Sequence, residues 1–138
     1  MRSLLLLAAV AACGAPTTDP AQHLPKVDDS FTLYVSNQSF DMPTIDIRVE
    51  LDDQLAISGD FHVEGQHTWL RFDFGLAPGP HRIRVTTPDV TDIALDQMFQ
   101  MDDRKWGVVS FWYYAAGSPE PTPPQFSLQI MDDQPYFD

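Results

Sequence analysis

Four pairs of adjacent aspartates lie between apolar segments, and their carboxylates are the groups best suited to binding a cation. The pairs are Asp28-Asp29, Asp52-Asp53, Asp102-Asp103 and Asp132-Asp133. Calcium takes about six to eight oxygen ligands, so turns that bring several carboxylates together can form a site. The best candidates are Asp52, Asp53, Asp102 and Asp103, provided that their two turns lie at the same end of the fold. No pair extends into the D-x-[DN]-x-[DN]-G loop, and aspartate also favours turns for its own backbone hydrogen bonds. A structural role in turns is therefore the preferred interpretation.

The histidines and hydroxyl side chains form no recognisable metal or catalytic motif. His62 and His67 are five residues apart, which does not match helical zinc spacing, and on a strand they would face opposite sides. His23 lies in a proline-containing polar segment, and His81 opens a predicted strand. No G-x-S-x-G sequence is present. We therefore predict a protein without catalytic activity or cofactor. A small hydrolase stays open as an alternative, since a Ser-His-Asp triad is assembled in space.

Aromatic side chains are concentrated in one predicted strand. The candidate ligand-binding residues are Trp69, Trp106, Trp112, Tyr113 and Tyr114. Val109 and Phe111 make the second face of the strand apolar as well. Either the strand is covered on both faces, with the proline-rich segment 115–124 over the outer one, or a row of rings is exposed. We favour the covered strand, because large apolar side chains are most often inside. Exposed rings would instead bind sugars or an apolar surface of a partner.

The first thirteen residues, MRSLLLLAAVAAC, have the layout of a secretory signal. Arg2 precedes an apolar run, and small residues lead into Cys13, the only cysteine of the chain. Residues 4–12 are too short for a transmembrane helix, which needs about 20 apolar residues. The residues Val10-Ala11-Ala12-Cys13 resemble the lipobox of bacterial lipoproteins.

That resemblance implies that residues 1–12 are removed and that Cys13 receives a diacylglycerol and becomes the N-terminus. Two acyl chains on one residue would hold the protein on its membrane. Gly14, rather than aspartate, implies the outer membrane if the cell is Gram-negative. The expected location is thus the bacterial cell envelope, with palmitate-type acyl chains as the anchor.

The charge of the chain argues against nucleic acid as a partner. Twenty acidic residues face eight basic ones, and the formal charge of −12 becomes −13 when Arg2 is removed. Phosphate backbones and anionic headgroups would repel such a domain. If Cys13 is acylated, no thiol remains for a disulfide, so the core alone must stabilise the fold. The expected partners are the membrane, through the lipid, and a protein or glycan of the envelope.

Apolar residues alternate with polar ones from residue 30 onward, which predicts β-strands. Residues 89–101 also fit a helical stripe, but a strand is preferred because 102–104 has the composition of a hairpin turn. Residues 52–54 and 77–80 are further predicted turns, and residues 13–29, with three prolines, are predicted to be a flexible tether. The predicted strands are 31–35, 45–51, 55–57, 70–74, 81–85, 93–101, 105–114 and 126–130.

Seven to eight short strands with frequent turns predict a single all-β domain, an antiparallel β-sandwich over residues 30–138. Residues 76–85, LAPGPHRIRV, resemble the L-x-P-G-x-H edge of immunoglobulin-like bacterial surface modules. That resemblance implies an immunoglobulin-like sandwich and no functional residues. We expect a lipid-anchored, non-catalytic binding or structural module that acts through the aromatic strand. A calcium-dependent envelope module is the alternative.

Overall fold

The computed structural model describes residues 18–63 and 68–137, which contain nine strands and no helix. None of the described segments is therefore a helix of the length and apolarity needed to cross a bilayer. All eight predicted strands are confirmed, including 93–101, for which a helix was the alternative. The strands are β1 (Ala21–Gln22), β2 (Phe31–Asn37), β3 (Thr44–Leu51), β4 (Gln54–His62), β5 (Leu70–Phe74), β6 (Gly79–Thr86), β7 (Ala94–Met101), β8 (Lys105–Tyr114) and β9 (Thr122–Met131).

The strands form two sheets and give a β-sandwich-like all-β fold. The five-stranded sheet has the order β1-β4-β3-β6-β7, and the four-stranded sheet has the order β5-β2-β8-β9. All pairs are antiparallel except β2 with β8, which run parallel from Phe31–Lys105 to Asn37–Phe111. The prediction of a wholly antiparallel sandwich is therefore wrong for this pair.

One apolar core lies between the two sheets. Strand β3 shows why, because Ile45, Ile47 and Val49 are fully buried while the residues between them are not. Alternation of this kind places one face of each strand inward. Ring contacts join the sheets, with Phe31 of β2 stacked 5.1 Å from a ring of β7. Phe61 of β4 likewise meets a ring of β5 at 6.4 Å.

The predicted turns differ in what they connect. Asp52 and Asp53 close the β3–β4 hairpin, and both have positive φ (51° and 64°), as a tight two-residue hairpin turn requires. The hairpin predicted at 102–104 is wrong. Strand β7 pairs with β6, whereas β8 pairs with β2 and β9, so this turn carries the chain from one sheet to the other.

Residues 18–29 lie on the domain, which corrects the predicted tether for that range; residues 13–17 are outside the described residues. Strand β1 pairs with β4, and the amide of His23 donates to the Ala56 carbonyl at 2.8 Å. Leu24 packs against the core. Gly59 makes this docking possible, since a Cβ there would lie 2.5 Å from the Pro20 Cα. The folded unit therefore includes residues 18–29, which precede the predicted start at residue 30.

Candidate functional site

Strand β8 lies between β2 and β9, so its side chains alternate between the core and the outer surface of the four-stranded sheet. Phe111 is completely buried, and Tyr113 packs against the core from the same side. Trp106, Trp112 and Tyr114 lie on the outer side, where each is half-buried. The structure thus places Tyr113 on the core side and the other three β8 candidates on the outer side.

We call the outer surface of this sheet the aromatic face. Its rings are those of Tyr34, Trp69, Trp106, Trp112, Tyr114 and Phe137. The strand is neither wholly covered nor openly exposed on this side. The proline-rich segment 115–124 is also not a loop throughout, because residues from Thr122 onward belong to β9.

Hydrogen bonds hold the rings at one end of the aromatic face. The Trp112 Nε1–H donates to the Ser127 Oγ at 3.0 Å, on the neighbouring strand β9. The Tyr114 hydroxyl donates to the Gln38 carbonyl at 2.8 Å. Each ring is therefore bonded through its polar atom to a neighbouring element, as amphipathic aromatic residues usually are.

Arg104 covers the ring of Trp106. Its guanidinium carbon lies 5.2 Å from the ring centroid, a cation–π contact. The same guanidinium donates to Asp28 Oδ1 at 2.8 Å and to Thr32 Oγ1 at 3.1 Å. The hydrogen bond from Arg104 is the main cause that lowers the pKa of Asp28. Trp106 is thus less available to a ligand than its position on the strand suggests.

A buried carboxylate, that of Asp73, lies on the outer side of this sheet beside Thr32. The side chain of Asp73 is 6% exposed and accepts hydrogen bonds from Thr32 Oγ1 at 2.7 Å and from Arg71 Nε at 3.1 Å. Buried charges need such pairing because desolvation disfavours them strongly. Neither Asp73 nor Arg71 was singled out from the sequence. The sequence does indicate that they share one face of a strand, since both alternate with apolar residues on β5.

The four calcium candidates lie at the same end of the five-stranded sheet, because the start of β6 pairs with the ends of both β3 and β7. Three of the four carboxylates contact cationic side chains of the protein. Asp52 contacts the ring of His81, Asp53 contacts Arg82 at 3.2 Å, and Asp102 contacts Lys105 at 2.8 Å. Within the described residues no three acidic or metal-ligating side chains converge on one point.

The His81 ring lies between two hydrogen-bond acceptors. Its Nδ1 lies 2.6 Å from Asp52 Oδ2, and its Nε2 lies 2.6 Å from the Ala77 carbonyl oxygen. A carboxylate and a carbonyl only accept, so both hydrogen bonds form together only when both ring nitrogens carry a proton. Burial lowers the pKa of His81, but the hydrogen bonds to Asp52 and Ala77 outweigh it and raise the pKa above 6.5. For Asp52, burial raises the pKa, and the bonds from His81 and the Arg82 amide reverse this and lower it.

The other described histidines contact hydroxyl groups. His62 Nδ1 lies 2.9 Å from Thr44 Oγ1, and His23 Nε2 lies 2.7 Å from Ser58 Oγ. His67 lies outside the described residues. The contact between His23 and Ser58 has the geometry of a nucleophile and its general base. Among the described residues, however, no carboxylate orients the His23 ring, so a complete triad is not assembled there.

A shallow groove of about 580 Å³ lies on the outer surface of the five-stranded sheet. Its charged side chains are already paired, Arg48 with Asp46 at 3.6 Å and Arg84 with Glu50 at 4.0 Å. Desolvation raises the pKa of Asp46. The charged side chains of the groove are thus engaged with one another.

No protein-family model, curated protein or solved structure matches this chain.

Proposed function

We propose that this chain is a lipid-anchored protein of the bacterial cell envelope whose domain, an immunoglobulin-like β-sandwich, is a non-catalytic binding module. The anchor is supported by the residues around Cys13. The observation that carries the binding role is the outward position of Trp112 and Tyr114 on β8. The opposite side of that strand already supplies core residues, so rings on the outer side are not needed to fill the interior. Large aromatic side chains at such a surface are typical of contact sites.

The immunoglobulin-like assignment within this proposal is supported by the turn before β6. Gly79 has φ of 124°, a conformation that favours glycine, and His81 follows it within the strand. The bonds from the His81 ring to Asp52 and Ala77 join this turn to the β3–β4 hairpin. The residues that carry the sequence resemblance thus take part in a defined local structure.

A lipid on Cys13 would hold the domain close to the bilayer. Thr18 is bonded to the domain, since its carbonyl accepts from the Asp60 amide at 2.7 Å. Five residue steps separate Cys13 from Thr18, which span at most about 18 Å when fully extended. Asn37, at the end of β2, donates through Nδ2 to the carbonyl of Phe61, the residue that follows Asp60. The end of β2, and Phe40 just beyond it, therefore lie at the same end of the domain as Thr18. Phe40 is 51% exposed there. The aromatic face would then be presented at the membrane surface to a protein or glycan of the envelope.

The anchor is tested by expressing the full chain and Cys13→Ser in bacteria fed an alkyne-labelled palmitate. We expect label and membrane fractionation for the wild-type chain and neither for Cys13→Ser. Mass spectrometry should find an N-terminus at Cys13 carrying a diacylglycerol. An unlabelled wild-type chain, or one cleaved at another position, would contradict the lipoprotein assignment.

The binding role is tested by crosslinking in intact cells, with Trp112→Ala and Tyr114→Ala compared with Leu55→Ala. Leu55 is 42% exposed on the other sheet and controls for the loss of apolar surface. We expect the two aromatic variants to lose crosslinked protein or glycan while the control retains it. Equal crosslinking in all three folded variants would remove the aromatic face as the binding surface.

A further inference from the structure

The C-terminal segment folds back onto the aromatic face. After β9 ends at Met131, Asp132 pairs with Lys105, and the chain continues across the outer side of the sheet without regular secondary structure. The Phe137 ring stacks on Trp69, with centroids 4.3 Å apart and planes inclined by 18°. It also meets Tyr34 edge-on at 4.9 Å and 67°. Phe137 therefore occupies a space bounded by two rings of the sheet.

That space has the form of a slot for one flat ring. Tyr34 belongs to β2, and Trp69 directly precedes β5, the neighbour of β2, so the backbone of the sheet sets their spacing. Tyr34 is 8% exposed. One wall offers a ring face for stacking and the other a perpendicular ring contact, the two arrangements that aromatic pairs prefer. The slot is therefore complementary to a phenyl or phenol side chain.

Phe137 is more exposed to solvent than Tyr34, which forms one wall of the slot. Phe137 remains 38% exposed, and its neighbour Tyr136 is 93% exposed. The Asp132 carboxylate that starts the segment is 83% exposed, so salt screens its pairing with Lys105. Ordering several residues to place one ring also has an entropic cost. The segment is thus suited to leave the slot while the sheet stays folded.

We infer that Tyr34 and Trp69 form a receptor for an aromatic side chain on an extended segment of a protein partner, and that residues 132–137 are its intramolecular competitor. The partner class is chosen because the chain's own phenyl ring shows what the slot accepts. This inference rests on the proposed function and deepens it, because it assigns both a ligand class and a form of autoinhibition to the aromatic face. A partner segment must displace Phe137 before it reaches the slot.

The first test uses a fluorescent peptide with the sequence of residues 133–138, DQPYFD, and measures anisotropy. The proteins are the mature chain, Phe137→Ala, and the matched control Tyr136→Ala, whose ring is almost wholly exposed. A short tethered segment acts at an effective concentration of roughly millimolar, which a dilute peptide cannot match. We expect Phe137→Ala to bind the peptide at least tenfold more tightly than the wild-type chain and the control do. Adding Trp69→Ala to Phe137→Ala should abolish binding, as should alanine in place of phenylalanine in the peptide.

Equal binding by all variants, or no saturable binding by a folded Phe137→Ala protein, would overturn the inference. Saturable binding of an oligosaccharide to Phe137→Ala, with none of the peptide, would also overturn it, because the ligand class would be wrong. Loss of partner crosslinking in Trp112→Ala tests the proposed function separately. That variant should leave peptide binding in the Phe137→Ala background unchanged.

A second measurement does not depend on any added ligand. Trp106→Phe combined with Trp112→Phe leaves Trp69 as the single indole, and acrylamide quenching then reports its exposure. We expect Phe137→Ala to increase the quenching constant at least twofold and Tyr136→Ala to leave it unchanged. An unchanged constant in Phe137→Ala would show that Phe137 does not cover the slot in solution.

Discussion

Phe111 and Trp112 are neighbours on β8 that face opposite sides of the four-stranded sheet, and truncating each to alanine separates core from surface. Phe111 is completely buried and packs against Phe126 at a centroid distance of 5.4 Å. Phe111→Ala removes a whole ring from a closed interior, so the lost transfer energy and the cavity together cost about 3–5 kcal/mol. We therefore expect the thermal midpoint to fall by about 10–20 °C.

Trp112 lies on the side that water can reach. Its indole is half-buried, and its hydrogen bond is to the exposed Ser127 hydroxyl, which water can replace. Without a closed cavity, the loss of partly buried apolar area leads us to expect about 2 kcal/mol for Trp112→Ala. That corresponds to a fall of about 5–8 °C in the thermal midpoint.

Urea unfolding followed by far-UV circular dichroism measures both free energies, and Leu55→Ala serves as the surface control. The expected result is a loss for Phe111→Ala at least about 1 kcal/mol larger than for Trp112→Ala, with similar urea slopes. The contrary result is a Trp112→Ala protein as unstable as Phe111→Ala. The outer rings would then be packing for the fold, and the binding role would lose its support.

Three further substitutions test other parts of the structure. Gly59→Ala puts a Cβ 2.5 Å from the Pro20 Cα. We therefore expect faster hydrogen exchange in residues 18–24, while the core strands stay protected. Unchanged exchange in residues 18–24 would argue against the docked segment. The raised pKa of His81 stabilises the fold fully below about pH 6.5 and less as pH rises through that pKa. Urea titrations should therefore show stability falling between pH 6 and pH 9 in the wild type, and a smaller fall in His81→Gln would confirm the pairing with Asp52. Gly107→Ala brings a Cβ within 2.8 Å of a methyl group of the buried Leu33. We expect the free energy of unfolding to fall by about 1–3 kcal/mol because of overpacking. A stabilised variant would contradict that contact.

The strands themselves were predictable because their periodicity is a local property. Residues 45–51 alternate so regularly that one buried face was evident, and the structure buries it. The apolar spacing of β7 fits a helix as well as a strand. Pairing along the whole of β6, from Gly79–Met101 to Thr86–Ala94, settles it as a strand. Backbone hydrogen bonds to a neighbour decided what local propensity left open.

The connections and edges were not predictable from composition. The composition of residues 102–104 suits a hairpin turn and a connection between two sheets equally well. Only the pairing of β8 with β2 shows that these residues connect the two sheets. Residues 18–29 are polar and rich in proline, as a tether would be. Their docking depends on the free edge of β4 and on the close approach that Gly59 allows, both of which are distant in sequence.

The all-β character, the acidic charge and the concentration of rings near β8 are properties of the sequence, which also carries the signal that predicts a lipid on Cys13. Which rings face outward, and what lies over them, depends on the packing of the two sheets. Period-two alternation separates two faces of a strand but does not say which one meets the opposite sheet. That choice buried Phe111, exposed part of Trp112, and let Arg104 and Phe137 cover the neighbouring indoles. Contacts between residues far apart in the chain made these choices, because burial depends on the whole assembled core rather than on any local pattern.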